Sequence, residues 1–438
     1  MMKYTMLRNL GRLSLVFGIL MGLFLNACKE EQPEKQGIVL SPDNEGIKVP
    51  EGFNVIKVAD SLGNPRHIVV DAKGGVYLKL RQPVNGEGIF YLQDTDGDGK
   101  ADSRRGFGDY GGTGIALDGN YLYASSDEEV FRYTLDENGT VSGSTSPDIL
   151  VTGLIARRAH QTKSFALDGK GNLYVNIGAY SNACQEEDRT LGSPGMRPCP
   201  ILDSAGGIWQ FRTDKFNQTY GDGVHYATGL RNVVGLDWNK STDALYVTQH
   251  GRDQLNTLYP ELYDQKESAA LPAETLYKIE EGDDAGWPYI YYDQIQNKKI
   301  LAPEYGGDGE KTAGEDAIDP LIAFPGHMAP NALLFYTGDM FPQRYKNGAF
   351  IAFHGSWNRA PEKQEGYYVA FVPFTNGKPS GDWEIFADGF DGKDEIYSPE
   401  DAAHRPTGLA QGPDGSLYVS DDAGGALFRI VYNATPTE

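Results

Sequence analysis

One short phrase recurs along this chain: an apolar strand, a turn built from Asp, Gly and Asn, then a strand shaped like Leu-Tyr-Val. It runs over Ile68–Leu78, Ile115–Tyr123, Phe165–Val175 and Gly235–Val247, in degenerate form over Leu333–Phe353, and again over Leu409–Val419. Each copy predicts a β-hairpin, because the turn residues tolerate positive φ and the flanking residues alternate in polarity. One hairpin cannot bury its apolar face alone. Six sheets packed radially around an axis can, and the ring leaves only short protected edges. The predicted fold is therefore all-β, a six-bladed β-propeller of four-stranded blades. The early strand Phe53–Val58 is expected to pair with Leu427–Val431 and close the ring. The longest gap, Ala244 to Gly348, predicts long inter-blade loops, which on a rigid ring are where function concentrates.

Ahead of the repeats, Met1–Arg12 carries Lys3, Arg8 and Arg12 and no acid, and Leu13–Leu25 is an apolar run. This pattern reads as a signal peptide over residues 1–27, whose apolar run is too short to span a bilayer as a stable helix. Residues 28–48 read as a polar tether, 49–433 as the propeller and 434–438 as a tail. Cys28 directly after Ala27 resembles the lipobox of bacterial lipoproteins, which implies a lipid-bearing Cys28 and a membrane anchor. An ordinary secretory signal with a chance cysteine is the alternative. Lys29-Glu30-Glu31 resembles the surface-export signal of Bacteroidetes lipoproteins, so the expected location is the outer membrane, on its periplasmic or cell-surface face. With Cys28 acylated, Cys184 and Cys199 remain as a pair, predicted to be bridged in an oxidising compartment. Metal binding by the two thiolates lacks a CxxC or a nearby ligand set. The net charge of −22 argues against nucleic-acid binding. No CxxCH is present, so no c-type haem is fused to the chain.

Chemistry-bearing residues fall at repeated places. His160, Arg231, His327 and Arg405 each precede the first strand of a repeat, and His250 and Trp357 each follow a second strand. Equivalent positions of successive blades lie at one height around the axis. Basic groups at one level in an acidic protein point to an anionic ligand there. His160 is a candidate base for a substrate hydroxyl, or a structural histidine bonded to a backbone carbonyl. Arg231 is a candidate for holding an anion or polarising a carbonyl, or an inter-blade salt bridge. Gly251 would let backbone carbonyls approach a cation.

Ala159-His160-Gln161, Gly229-Leu230-Arg231-Asn232, Gly286-Trp287-Pro288-Tyr289 and Phe353-His354-Gly355-Ser356-Trp357-Asn358-Arg359, in this order, resemble the glucose/sorbosone dehydrogenase family, six-bladed propellers that bind pyrroloquinoline quinone (PQQ). Ser181-Asn182-Ala183-Cys184 and Gly192–Cys199 point to its sorbosone-like branch. The resemblance implies an oxidoreductase that takes hydride from a sugar or sugar-aldehyde hydroxyl, with PQQ and Ca²⁺ as cofactors. It implies His160 as general base, Arg231 as the group stabilising the reduced quinone oxygen, and Asn232 as a cofactor contact. The carbonyls of Gly251 and Arg252 would hold Ca²⁺. Arg405 would lie near cofactor and substrate, Arg359 would replace a lysine paired with a PQQ carboxylate, and His327 and Trp357 would line the cofactor. Electrons would leave to an external acceptor, a cytochrome or a quinone. One departure stands out: Ala179 lacks the carboxylate that the soluble glucose branch carries there, so another group must hold His160.

Asp94, Asp96, Asp98 and Asp102, with Gly99, resemble a Ca²⁺ loop. Arg105 stands where a full loop has Glu, and a solvated turn is the alternative. Two other functions stand as alternatives for the whole chain: a cofactor-less carbohydrate-binding or scaffold propeller, and a Ca²⁺-dependent lactonase. The lactonase wants carboxylates and amides around an axial metal, whereas the axial candidates here are mostly basic.

Overall fold

Each of the six repeat phrases forms the first two strands of one blade, and the Asp of the phrase shows why. Asp71 Oδ1 accepts the backbone N–H groups of Lys73 (2.8 Å) and Gly75 (2.9 Å), and Asp168 Oδ1 does the same for Lys170 and Asn172. These side chains fold the turn by standing in for backbone acceptors. Gly74, Gly171 and Gly415 follow at φ 88°, 90° and 89°, a region that L side chains rarely adopt. The structure, a computed structural model, describes residues 37–141 and 146–433. The signal segment, Cys28 and the 434–438 tail lie outside the described residues.

Among the described residues, six antiparallel sheets follow in chain order. Blade 1 comprises Pro65–Val70, Val76–Val84, Glu87–Gln93 and Ser103–Phe107, and blade 2 spans Ile115–Asp118 to Asp148–Val151. Blade 3 runs from Phe165–Leu167 to Val224–Thr228 and gains a short parallel strand, Asp283–Asp284. Blade 4 runs from Val233–Asn239 to Ile322–Phe324, and blade 5 from Pro330–Phe335 to Glu384–Ala387. Blade 6 combines Pro406–Gln411, Leu417–Asp421 and Leu427–Tyr432 with Phe53–Ala59. In that last pairing Phe53 stands opposite Tyr432 and Val55 opposite Ile430, the expected ring closure. The first strands of the blades touch one another in cyclic order around the axis.

Six hydrophobic clusters fill the six blade interfaces, because alternate residues of a strand point to opposite faces. Leu173 and Val175 pack toward blade 2, while Tyr174 between them packs toward blade 4. Each fully buried apolar side chain contributes about 1.5–3 kcal/mol, so the interfaces hold the ring. The tyrosine of the repeat also ties blades through its hydroxyl: Tyr77 donates to Gly139 O and Tyr246 to Gly377 O, both at 2.8 Å. The long Ala244–Gly348 gap holds two short helices, Leu255–Leu258 and Gln265–Ala270, and a hairpin of Ile290–Asp293 with Lys298–Leu301. A seventh cluster around Tyr259, Tyr263 and Tyr291 gives this insertion its own core.

Candidate active site

A hairpin turn closes one end of each blade's first two strands, so the residue ahead of strand one and the residue behind strand two meet at the other end. The pairs Pro65–Leu80, Val233–Gln249, Pro330–Phe353 and Pro406–Asp421 mark that level around the ring. There the axis opens into a cavity of 820 Å³, walled by Arg66 and Arg81, Asp127 and Glu128, Arg158 and His160, Asn232 and His250, and Asn331 and His354. Next to Arg66, His67 Nε2–H donates to the Asn331 carbonyl at 2.8 Å. Burial lowers the His67 pKa to about 4, so its ring is neutral.

His160 is fixed by a backbone group. Its Nδ1 lies 2.5 Å from the carbonyl oxygen of Ala179. A carbonyl only accepts, so Nδ1 carries the proton and Nε2 keeps its lone pair. The expectation that Ala179 cannot orient His160 holds for its methyl side chain and fails for its carbonyl. Burial first, and the Arg231 guanidinium second, lower the His160 pKa to about 3. The residue sits at φ 53°, a strained conformation for histidine. Gly178 makes this possible: a Cβ there would lie 2.6 Å from the His160 Cβ.

Asn232 reaches the same wall. Its Nδ2 faces His250 Nδ1 at 3.4 Å, and its Oδ1 is buried with no hydrogen-bond partner. An orphaned acceptor of this kind costs about 1–3 kcal/mol unless a ligand satisfies it. His250 is neutral too, its pKa lowered to about 3 by burial and by Arg231.

Arg231 stands behind this wall rather than in it. It lines a separate cavity of 30 Å³. Its Nε and Nη2 donate to the carbonyl and Oδ1 of Asn182 (3.1 and 3.0 Å), its Nη1 to the Gly251 carbonyl (2.7 Å) and its Nη2 to Asp253 Oδ2 (2.8 Å). Four of the five N–H donors of a guanidinium are thereby used. Burial alone would raise the Asp253 carboxyl, but Arg231, Arg189 and His327 hold it well below the usual carboxylate range. Glu274 accepts the N–H of Gly251 (3.1 Å) and of Ala329 (3.3 Å), and burial pushes its pKa up to about 8. The Gly251 carbonyl keeps a second lone pair. Arg252 turns its side chain into a buried pair with Glu304 at 2.5 Å, so any part it takes in holding a cation falls to its carbonyl.

The other predicted contacts do not converge on the cavity wall. Arg405 donates to the carbonyls of His354 (3.1 Å) and Gly355 (2.8 Å), just behind His354. Arg359 donates to Ala269 O (2.8 Å) and Gly326 O (3.0 Å) and pairs with Glu365. His327 is buried, with Nε2–H shared between Ser268 O and Leu271 O. Trp357 is 54 % exposed. Conversely, Arg66 and His354 were not singled out as ligand residues by sequence, yet both line the cavity and share the Asp422 carboxylate (2.9 and 2.7 Å). A signal existed for their shared partner: Asp422 follows the last copy of the repeat at the offset by which His250 follows the fourth.

Away from the axis, Asp94, Asp96 and Asp102 bring carboxylate oxygens within 4.8 Å of one another, a set that could hold a cation. Asp98 is not of that set and instead accepts the Lys100 N–H at 2.7 Å. The predicted disulfide between Cys184 and Cys199 is formed.

A family model described as TrAA12-like matches residues 47–433. A PQQ-dependent pyranose dehydrogenase of Coprinopsis cinerea is 25 % identical over 436 residues, covering 88 % of this chain and 54 % of its own length. This chain thus spans about half of that enzyme. A PQQ-dependent sugar dehydrogenase of Hypocrea jecorina is 24 % identical over 414 residues, covering 88 % of this chain and 89 % of that one. The calcium structure of a Trichoderma reesei carbohydrate-active enzyme of family AA12 superposes with a TM-score of 0.70 at 20 % identity, covering 91 % of this chain and 99 % of that one. That last likeness is one of fold.

Proposed function

The chain belongs to the TrAA12-like family, and on that premise we propose that it is a PQQ- and Ca²⁺-dependent dehydrogenase acting on a hydroxyl of a sugar or sugar-aldehyde hydrate. The observation that carries this reading is His160: a neutral imidazole on the wall of an 820 Å³ cavity, with Nδ1–H spent on Ala179 and Nε2 left as acceptor. PQQ, when bound, supplies the two-electron acceptor for the hydride that the substrate carbon gives up.

The residues present fit such a cofactor. The orphaned Oδ1 of Asn232 is a buried polar group without a partner on the cavity wall. Arg66 and Arg405 offer cationic compensation for carboxylates. The carbonyls of Gly251 and Arg252 would be oxygen donors for Ca²⁺. His160 takes the hydroxyl proton at Nε2, and Asn232 and His250 hold the adjoining wall.

The reading extends to location and partners. Lipidation of Cys28 would anchor the chain at the outer membrane, and the Cys184–Cys199 disulfide supports export. Electrons would leave to a cytochrome or quinone. Adding PQQ and Ca²⁺ to the apo-protein and assaying dye reduction over a panel of aldoses, pyranoses and sorbosone tests the activity. Absence of both PQQ binding and turnover defeats it. His160→Ala should abolish turnover and leave PQQ bound. Labelling with a palmitate analogue, lost in Cys28→Ala, tests the anchor.

A further inference from the structure

The residue that joins the Arg231 side of this site to its carbonyl loop is Asn182, which neither the sequence motifs nor the proposed chemistry gives a role. Asn182 is fully buried, two positions ahead of the disulfide cysteine Cys184. Its side-chain amide pairs with the backbone of Asp253 in both directions: Oδ1 accepts the Asp253 N–H at 2.8 Å, and Nδ2 donates to the Asp253 carbonyl at 3.0 Å. The same Oδ1 accepts Arg231 Nη2 at 3.0 Å, and the Asn182 carbonyl accepts Arg231 Nε at 3.1 Å and Trp287 Nε1 at 3.0 Å. Arg231 in turn donates to Gly251 O.

Asn182 is itself held from behind. Its N–H donates to Asp188 Oδ1 at 2.9 Å, and Tyr305 donates to Ala183 O at 3.1 Å. From the same disulfide-closed loop Arg189 reaches Asp253 Oδ2 at 2.8 Å. Segments 182–189, 231 and 251–253 belong to three separate stretches of chain, and one amide satisfies polar groups of two of them at once.

We propose that Asn182 is a positioning residue that sets the Gly251–Asp253 carbonyls and the Arg231 guanidinium in one fixed arrangement, so that the disulfide-closed loop governs cofactor affinity through it. The inference rests on the dehydrogenase reading for what the clamp serves, and on the hydrogen bonds alone for the clamp itself. An amide meets the whole task, since it offers a donor and an acceptor from one planar group. Ala supplies neither. Asp supplies the acceptors for Arg231 and the Asp253 N–H but not the donor to the Asp253 carbonyl.

The test has two readouts on the full chain: amide hydrogen exchange at Asp253 in the apo-protein, and PQQ affinity in the presence of Ca²⁺. Asn182→Ala should speed exchange at Asp253 at least tenfold and weaken PQQ at least tenfold. Asn182→Asp should keep PQQ within about threefold of the wild type while loosening the 253 segment less than Ala does. Should Asn182→Ala not fold, Asn182→Ser takes its place with the same expectations. Faster exchange in a chain whose wild type binds no PQQ leaves the clamp standing and defeats the dehydrogenase reading. A variant with wild-type exchange and wild-type PQQ affinity, even with a lowered melting temperature, overturns the proposal.

Discussion

Gly178→Ala adds one methyl group where the space is already taken. The new Cβ would stand 2.6 Å from the His160 Cβ, 2.7 Å from its carbonyl oxygen and 2.9 Å from Oδ1 of Asn232. Two of these three atoms belong to the backbone or its first carbon, so no flexible side-chain end can swing away. Carbon–carbon contacts are most favourable at about 3.5–4.0 Å, which forces His160 or the 178 segment to retreat by about 1 Å. Gly178 does not lie in the left-handed region, so crowding and not backbone strain is the perturbation. A displacement of about 1 Å at a catalytic group costs about 100-fold in rate, or about 2.7 kcal/mol of barrier. Overpacking of this kind costs about 1–3 kcal/mol of stability, which leaves the ring folded. The assay is steady-state dye reduction by the PQQ-loaded protein, with PQQ titrated separately and folding followed by circular dichroism. We expect kcat to fall about two orders of magnitude while PQQ affinity changes far less. A folded Gly178→Ala protein turning over at the wild-type rate would refute the placement of His160 by steric closure.

The double variant Cys184→Ser, Cys199→Ser should lose about 3 kcal/mol in the chain-entropy account of a loop this size. A urea midpoint unchanged from the wild type would mean that the loop's hydrogen bonds, those of Asp188 and Arg189 among them, hold it without the bridge. Arg231→Met strips the buried Asp253 of a partner, and breaking a buried pair costs about 3–5 kcal/mol; denaturation at pH 7 measures it, and a loss under 1 kcal/mol contradicts the network. His160 and His250 have pKa values lowered to about 3, and His67 to about 4, against 6.5 in the unfolded chain. The unfolded state therefore binds more protons, so their contribution is complete above pH 6.5 and is lost as pH falls toward 4 and then 3. Denaturation midpoints between pH 3 and 8 should show this decline, less steep in His160→Gln; an equal slope would place the His160 pKa near its ordinary value.

The ring was legible because its signal is repeated. The first, third and sixth phrases fold their hairpins through an Asp side chain and a glycine, and alternation then tells which residues face which neighbour. The site was legible only as a height on the ring. Counting from strand ends identified His160 and His250, and the family resemblance added Asn232, but neither said which side chains point inward. Arg231 and Arg405 share that height and are turned into carbonyl and carboxylate networks instead. Those networks join residues distant in sequence, such as Asn182 with Asp253, and no local pattern announces them. The missing carboxylate at Ala179 illustrates the same limit from the other side. A side-chain alphabet shows a methyl group there, whereas the structure uses the backbone carbonyl, which every residue type carries.

The pairing of Phe53–Ala59 with Leu427–Tyr432 also sets an order of events. Blades 1 to 5 can assemble as they are synthesised, but the interface that buries Phe53 and Val55 beside Phe428 needs both extremities of the ring at once. Bringing together partners almost the whole chain apart costs about 5 kcal/mol of loop-closure entropy, and that contact is the last available. Until Leu427–Tyr432 emerges, the ring therefore stays open at one seam, with the apolar face of Phe53–Ala59 unpartnered.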